Sequence, residues 1–102
     1  MPHERDRSFD IENSGTEIVI DTAGDHIVDV VMKDGDAAAD YALDVSDRKS
    51  DWFTDTETFS GVTSIDDGYY NSHRYVRFRV TSGTGGSGDT ADVLLSSAGK
   101  GR

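Results

Sequence analysis

The chain of 102 residues has no cysteine, a single proline and only three lysines, Lys33, Lys49 and Lys100. Without cysteine there is no disulfide, no thiolate metal site and no thiol nucleophile, and the redox compartment stays open. Long apolar runs are missing too. None approaches the roughly 18 residues of a membrane-spanning helix, so no membrane association is expected. The opening Met-Pro-His-Glu-Arg-Asp-Arg lacks the apolar stretch of a secretory signal, and Arg5 and Arg7, split by Asp6, make no twin-arginine signal. Synthesis in the cytoplasm is therefore expected, with retention there or exit inside a particle after lysis. Cations are scarce: 10 Lys and Arg stand against 20 Asp and Glu, a formal net charge of −10, which argues against nucleic acid as a partner because phosphate contacts need clustered cations. Hydrophobic residues make up 34% and aromatics 9%, a sparse core for one domain and too little for two. A domain of this kind gains stability by docking or oligomerising.

What is present is alternation. In Tyr75-Val76-Arg77-Phe78-Arg79-Val80 the apolar residues recur at every second position, the period of a strand with one face in a core. A glycine-rich stretch, residues 83–88, separates it from Thr-Ala-Asp-Val-Leu-Leu-Ser, residues 90–96, and the pair reads as a long-looped antiparallel hairpin with a flexible connection. Similar short runs centre on Ile18–Ile20, on Ile27–Val31, on Tyr41, Leu43 and Val45, on Trp52 and Phe53, and on Val62 and Ile65. Thr54-Asp55-Thr56-Glu57-Thr58 has little to bury and suits a sheet edge. Asp34-Gly35 and Asp66-Asp67-Gly68 read as turns or loops. The expectation is an all-β protein: an antiparallel β-sandwich, jelly-roll-like, of seven or eight short strands. Residues 1–7 are expected as a flexible arm or interaction strand, residues 8–97 as the sandwich, and residues 98–102 as a disordered tail.

No catalytic set stands out, and no enzyme activity is expected. His3, His26 and His73 match no zinc spacing. The acidic pairs Asp34/Asp36 and Asp66/Asp67 follow no EF-hand pattern, and the glycine loop lacks the Lys-Ser/Thr of a phosphate loop. No cofactor or metal is expected. Arg74, Arg77 and Arg79 place three of seven arginines within six residues, and with Tyr75 they form a cationic, aromatic ribbon. Two readings stay open for it: bidentate pairing with carboxylates of a neighbouring subunit, or cross-strand pairing with Asp44 or Asp92. In the first, replacing Arg77 and Arg79 by Ala leaves the isolated fold intact. Trp52, Tyr69 and Tyr70 offer aromatic faces for a sugar, or fill the core.

Two segments carry a resemblance. Ser46-Asp47-Arg48-Lys49-Ser50-Asp51-Trp52 and Arg74-Tyr75-Val76-Arg77-Phe78-Arg79-Val80 are similar to the tryptophan-containing turn and the arginine-tyrosine-valine-arginine strand of discoidin-like (F5/8 type C) sandwiches. With the glycine loop and small-residue last strand, the same pairing looks like short structural proteins of tailed viruses. The acids are 16 Asp against only four Glu, and with lysine suppressed this resembles proteins from salt-saturated cytoplasm, as in haloarchaea and their viruses. At molar salt the Debye length falls to roughly 3 Å, so such self-repulsion is tolerated. The resemblance implies a virion structural protein of a haloarchaeal tailed virus. Its role would be an accessory subunit decorating the capsid or building a vertex or turret, in contact with copies of itself and other virion proteins as a homo-oligomer. The alternative is a tail or baseplate component, or a carbohydrate-recognition module for host surface glycans.

Overall fold

A computed structural model describes residues 2–100, with the backbone alone for Lys100. Eight strands account for the described chain: β1 (His3–Asp10), β2 (Glu17–Asp21), β3 (Asp25–Lys33), β4 (Ala39–Arg48), β5 (Asp51–Val62), β6 (Ile65–Tyr70), β7 (Tyr75–Ser82) and β8 (Thr90–Lys100). No helix occurs among the described residues. The strands form two four-stranded sheets, β1-β8-β3-β6 (the first sheet) and β2-β7-β4-β5 (the second). Every pairing is antiparallel. β1 pairs with β8, β2 with β7, β3 with β6 and β4 with β5. The chain is thus one long hairpin rolled into two layers, the strand order of a jelly roll.

Alternation places the core between the layers. Val76, Phe78 and Val80 of β7 are buried and face Val28, Val30 and Met32 of β3 and Val93 and Leu95 of β8 in one apolar cluster. Phe78 is its centre: Tyr41 stacks on it at 5.3 Å and Phe9 packs at 5.8 Å between ring centroids. The Tyr41 hydroxyl is buried with no hydrogen-bond partner among the described residues, and burial pushes its pKa up to about 12.

Five expectations are corrected. β7 and β8 are no hairpin, because they belong to opposite sheets. Periodicity identifies the buried face of a strand but not its partner. The loop between them is tied down: the amides of Thr84 and Gly85 donate to the carbonyls of Ile11 (2.9 Å) and Glu12 (3.0 Å), and Gly83 lies so close to the Glu12 and Asn13 backbone that a Cβ has no room. Of the arm, His3–Arg7 belong to β1, in register with β8. Of the tail, β8 continues through Gly99 to Lys100, while residues 101 and 102 lie outside the described residues. Finally, Asp66, Asp67 and Gly68 are not a loop but part of β6, opposite Val31, Val30 and Asp29.

Candidate functional site

A cleft of about 540 Å³ opens at one end of the sandwich, lined by Asp21, Ala23, Gly24, Asp25, His26, Asp47, Ser72, His73 and Arg74. Two buried polar side chains, Thr22 and Asn71, hold its walls. Thr22 donates its amide to the Arg74 carbonyl (2.7 Å) and its hydroxyl to the His73 carbonyl (3.0 Å). The Asn71 side-chain amide donates to the carbonyls of His73 (2.7 Å) and Asp25 (3.3 Å), and its Oδ1 accepts from the His73 amide (3.1 Å). Ser97 donates to the buried Asp25 carboxylate at 2.8 Å. Such satisfied buried networks fix loop geometry. On the rim, His73 Nδ1 lies 3.3 Å from Asp47. Arg74 pairs with Asp21 at 3.0 Å, and its hydrogen bond holds that carboxyl below the usual range. The rings of Tyr70 and Phe53 flank the cleft by packing, tilted, against its lining residues His26 (5.5 Å) and His73 (5.8 Å). Both are exposed, 75% and 63%. Imidazoles, a guanidinium, carboxylates and exposed rings around a volume of this size suit a small polar ligand. Among the described residues no hydroxyl is hydrogen-bonded to either imidazole.

The arginine ribbon is turned inward. Arg77 and Arg79 both reach Asp44 on the neighbouring strand, Nη2 of Arg77 at 2.7 Å and Nε of Arg79 at 2.5 Å from its Oδ2. Asp44 is 0% exposed, and its Oδ1 also accepts the Asp55 amide at 2.8 Å. Burial pushes the Asp44 carboxyl up, but Arg79, the Asp55 amide and Arg77 outweigh it and hold the pKa below the usual range. Arg79 further binds Asp55 at 2.7 Å, and Arg77 lies 3.7 Å from Glu17. This is the cross-strand reading for Asp44, whereas Asp92 pairs with Arg5 at 2.8 Å. Removing Arg77 and Arg79 would strand a buried carboxylate, so the expectation that the isolated fold survives unharmed does not fit this geometry. Tyr75 carries Lys49 and Arg74 over its ring, at 5.3 and 5.2 Å.

The structure does not bring Trp52, Tyr69 and Tyr70 together. Trp52 covers Arg77, 4.3 Å from ring centroid to guanidinium. Tyr69 packs edge-on to Phe59 at 6.3 Å. Only Tyr70 flanks the cleft. Sequence reasoning missed Thr22, Asn71 and Phe53. The sole available signal was Thr22 opening a turn ahead of Gly24, because burial of Asn71 depends on a strand nearly fifty positions away. Among the described residues no group of three or more His, Cys, Asp or Glu is placed to hold a metal ion, and no helix is long and apolar enough to cross a membrane.

The chain matches no protein-family model, and no curated protein sequence matches it. In three dimensions it is similar to part of a protein from Bacteroides thetaiotaomicron VPI-5482 assigned as an alpha-L-fucosidase, with a TM-score of 0.56 and 9% identity. The match covers 92% of this chain and 22% of that one. At that identity the likeness is one of fold, and this chain spans about a fifth of the length of the larger one.

Proposed function

We propose that the protein is a non-enzymatic structural subunit of a virion, an accessory protein that decorates the capsid or builds a vertex of a haloarchaeal tailed virus. The observation that carries this reading is the strand order, β1-β8-β3-β6 against β2-β7-β4-β5. It is the jelly roll, an architecture recurrent in viral capsid and lectin domains, here joined to an aspartate-rich, lysine-poor composition. This is analogy at the level of fold, supported by the strands' use of their side chains for packing and pairing. Mass spectrometry of purified virions tests it: hundreds of copies per particle mean decoration, a handful mean a vertex or tail, and absence from the particle overturns the reading.

The cleft favours a second reading, a carbohydrate-recognition module. Its exposed Tyr70, the adjoining His26 and the Arg74–Asp21 pair offer a ring face and polar groups to a sugar, and the structural neighbour is assigned as a fucosidase. Titration against a glycan panel in molar salt, with and without calcium, separates the readings. Saturable binding lost on Tyr70→Ala supports recognition, and Tyr69→Ala is the control because Tyr69 packs against Phe59 instead of lining the cleft.

A further inference from the structure

The outer face of the first sheet differs from the rest of the surface. At its centre Val31 of β3 and Leu94 of β8 stand opposite each other, with Ile27, 40% exposed, further along β3. On the β1 side Arg5 pairs with Asp92, and Arg7 and Lys33 are close enough to act on the same carboxylate. Three of the ten cations thus gather about one acid, and a depression of about 100 Å³ opens between Arg5, Val31, Lys33, Asp92 and Leu94. On the β6 side the sign reverses. Asp29 leans over Gly68, its Oδ1 2.7 Å from where a Cβ would stand, and Asp66 is exposed. Neither Asp29 nor Asp66 has an ion-pair partner among the described residues.

We infer that this face binds a second copy of the chain, sheet against sheet, about a twofold axis parallel to the strands. Arg5, Leu94, Val31 and Asp66 form one row across the sheet. Such an axis lays Arg5 of each copy over Asp66 of the other and Leu94 over Val31, so that ion pair forms twice with the apolar residues between. Lys33, opposite Asp92 within its own sheet, comes over Asp92 of the other copy. A twofold interface must be self-complementary in this way. Strands about 4.8 Å apart and about eight residues long present on the order of 500 Å² per copy, so the pair buries on the order of 1,000 Å², enough for a specific contact. At molar salt only charges in contact act on one another, which is what this stacking supplies. The inference deepens the assembly reading but is measured on purified protein, whereas membership of a particle is measured in virions, so either fails without the other.

Sedimentation equilibrium in multi-molar KCl tests it. The wild type sediments as a dimer, and Leu94→Asp raises the dissociation constant by about tenfold or more with an unchanged circular-dichroism spectrum. The decisive variants reverse charge at the two ends of that row: Arg5→Glu in one, Asp66→Lys in the other. Each alone sediments as a monomer, and an equimolar mixture forms a one-to-one heterodimer, because each reversed charge meets its opposite. A monomeric wild type, a Leu94→Asp variant that dimerises normally, or a mixture that stays monomeric overturns the proposal.

Discussion

The two outer faces of the sandwich handle charge in opposite ways. On the second sheet Asp44, Arg77, Arg79 and Asp55 close upon one another beneath Trp52, and a carboxylate on the outward side of β4 ends fully buried. On the first sheet Arg5 and Asp66 stand at opposite margins with Leu94 and Val31 between them. The same alternation of strand residues yields both. The difference arises because Asp44 lies between two arginines of the adjacent strand, whereas Asp29 faces Gly68 and Ser96. One face is completed within the chain, and the other is left to complete itself against something else.

The contrast is broken most severely by replacing both Arg77 and Arg79 with Ala. This leaves Asp44 buried without a cation, and stability falls by about 3 to 5 kcal/mol, read from denaturant unfolding at constant high salt. Acid titration sharpens the comparison. The folded pKa of Asp44 lies below its unfolded value, so its contribution is complete above the ordinary carboxylate range, about pH 4, and disappears as pH falls through the depressed folded value. Asp44→Asn should therefore flatten the loss of stability towards acid, while Asp92→Asn, at an exposed pair, changes that slope less. Arg5→Ala, the counterpart substitution on the first sheet, leaves the monomer's unfolding midpoint where it was, because exposed pairs are screened. A small effect is also expected between the faces. Tyr41→Phe removes a hydroxyl that has no hydrogen-bond partner among the described residues, and it shifts stability by less than about 1 kcal/mol or raises it.

Much of the fold is legible in the residues, because burial of Val76, Phe78 and Val80 follows directly from their alternation with Tyr75, Arg77 and Arg79. The strand pairing is not. β7 reads as the partner of β8 because the two are neighbours in sequence, yet the real partners of β7 are β2 and β4, which only packing of the whole core selects. The ribbon is visible as a cluster of arginines, and its correct partner Asp44 is among the expected ones. That Asp44 is buried depends on the bulge in β5, where Asp55 takes a positive φ of 57° and turns its amide onto the carboxylate. No local pattern announces such a bulge. The cleft was illegible for a similar reason, since its walls come from loops brought together by Thr22 and Asn71.

The pairing of β1 with β8 and of β3 with β8 also governs when the protein can fold. β8 lies between the two, at the heart of its sheet, and it follows the other seven strands of the sandwich in the chain. Until it emerges the first sheet has only the β3–β6 ladder, and β1 waits without a companion. Completion therefore waits on the last of the eight strands and is dominated by distant pairings, of the kind that closes slowly. In a cell making many copies at once, that interval is when a nascent β1 is open to the β8 of another chain.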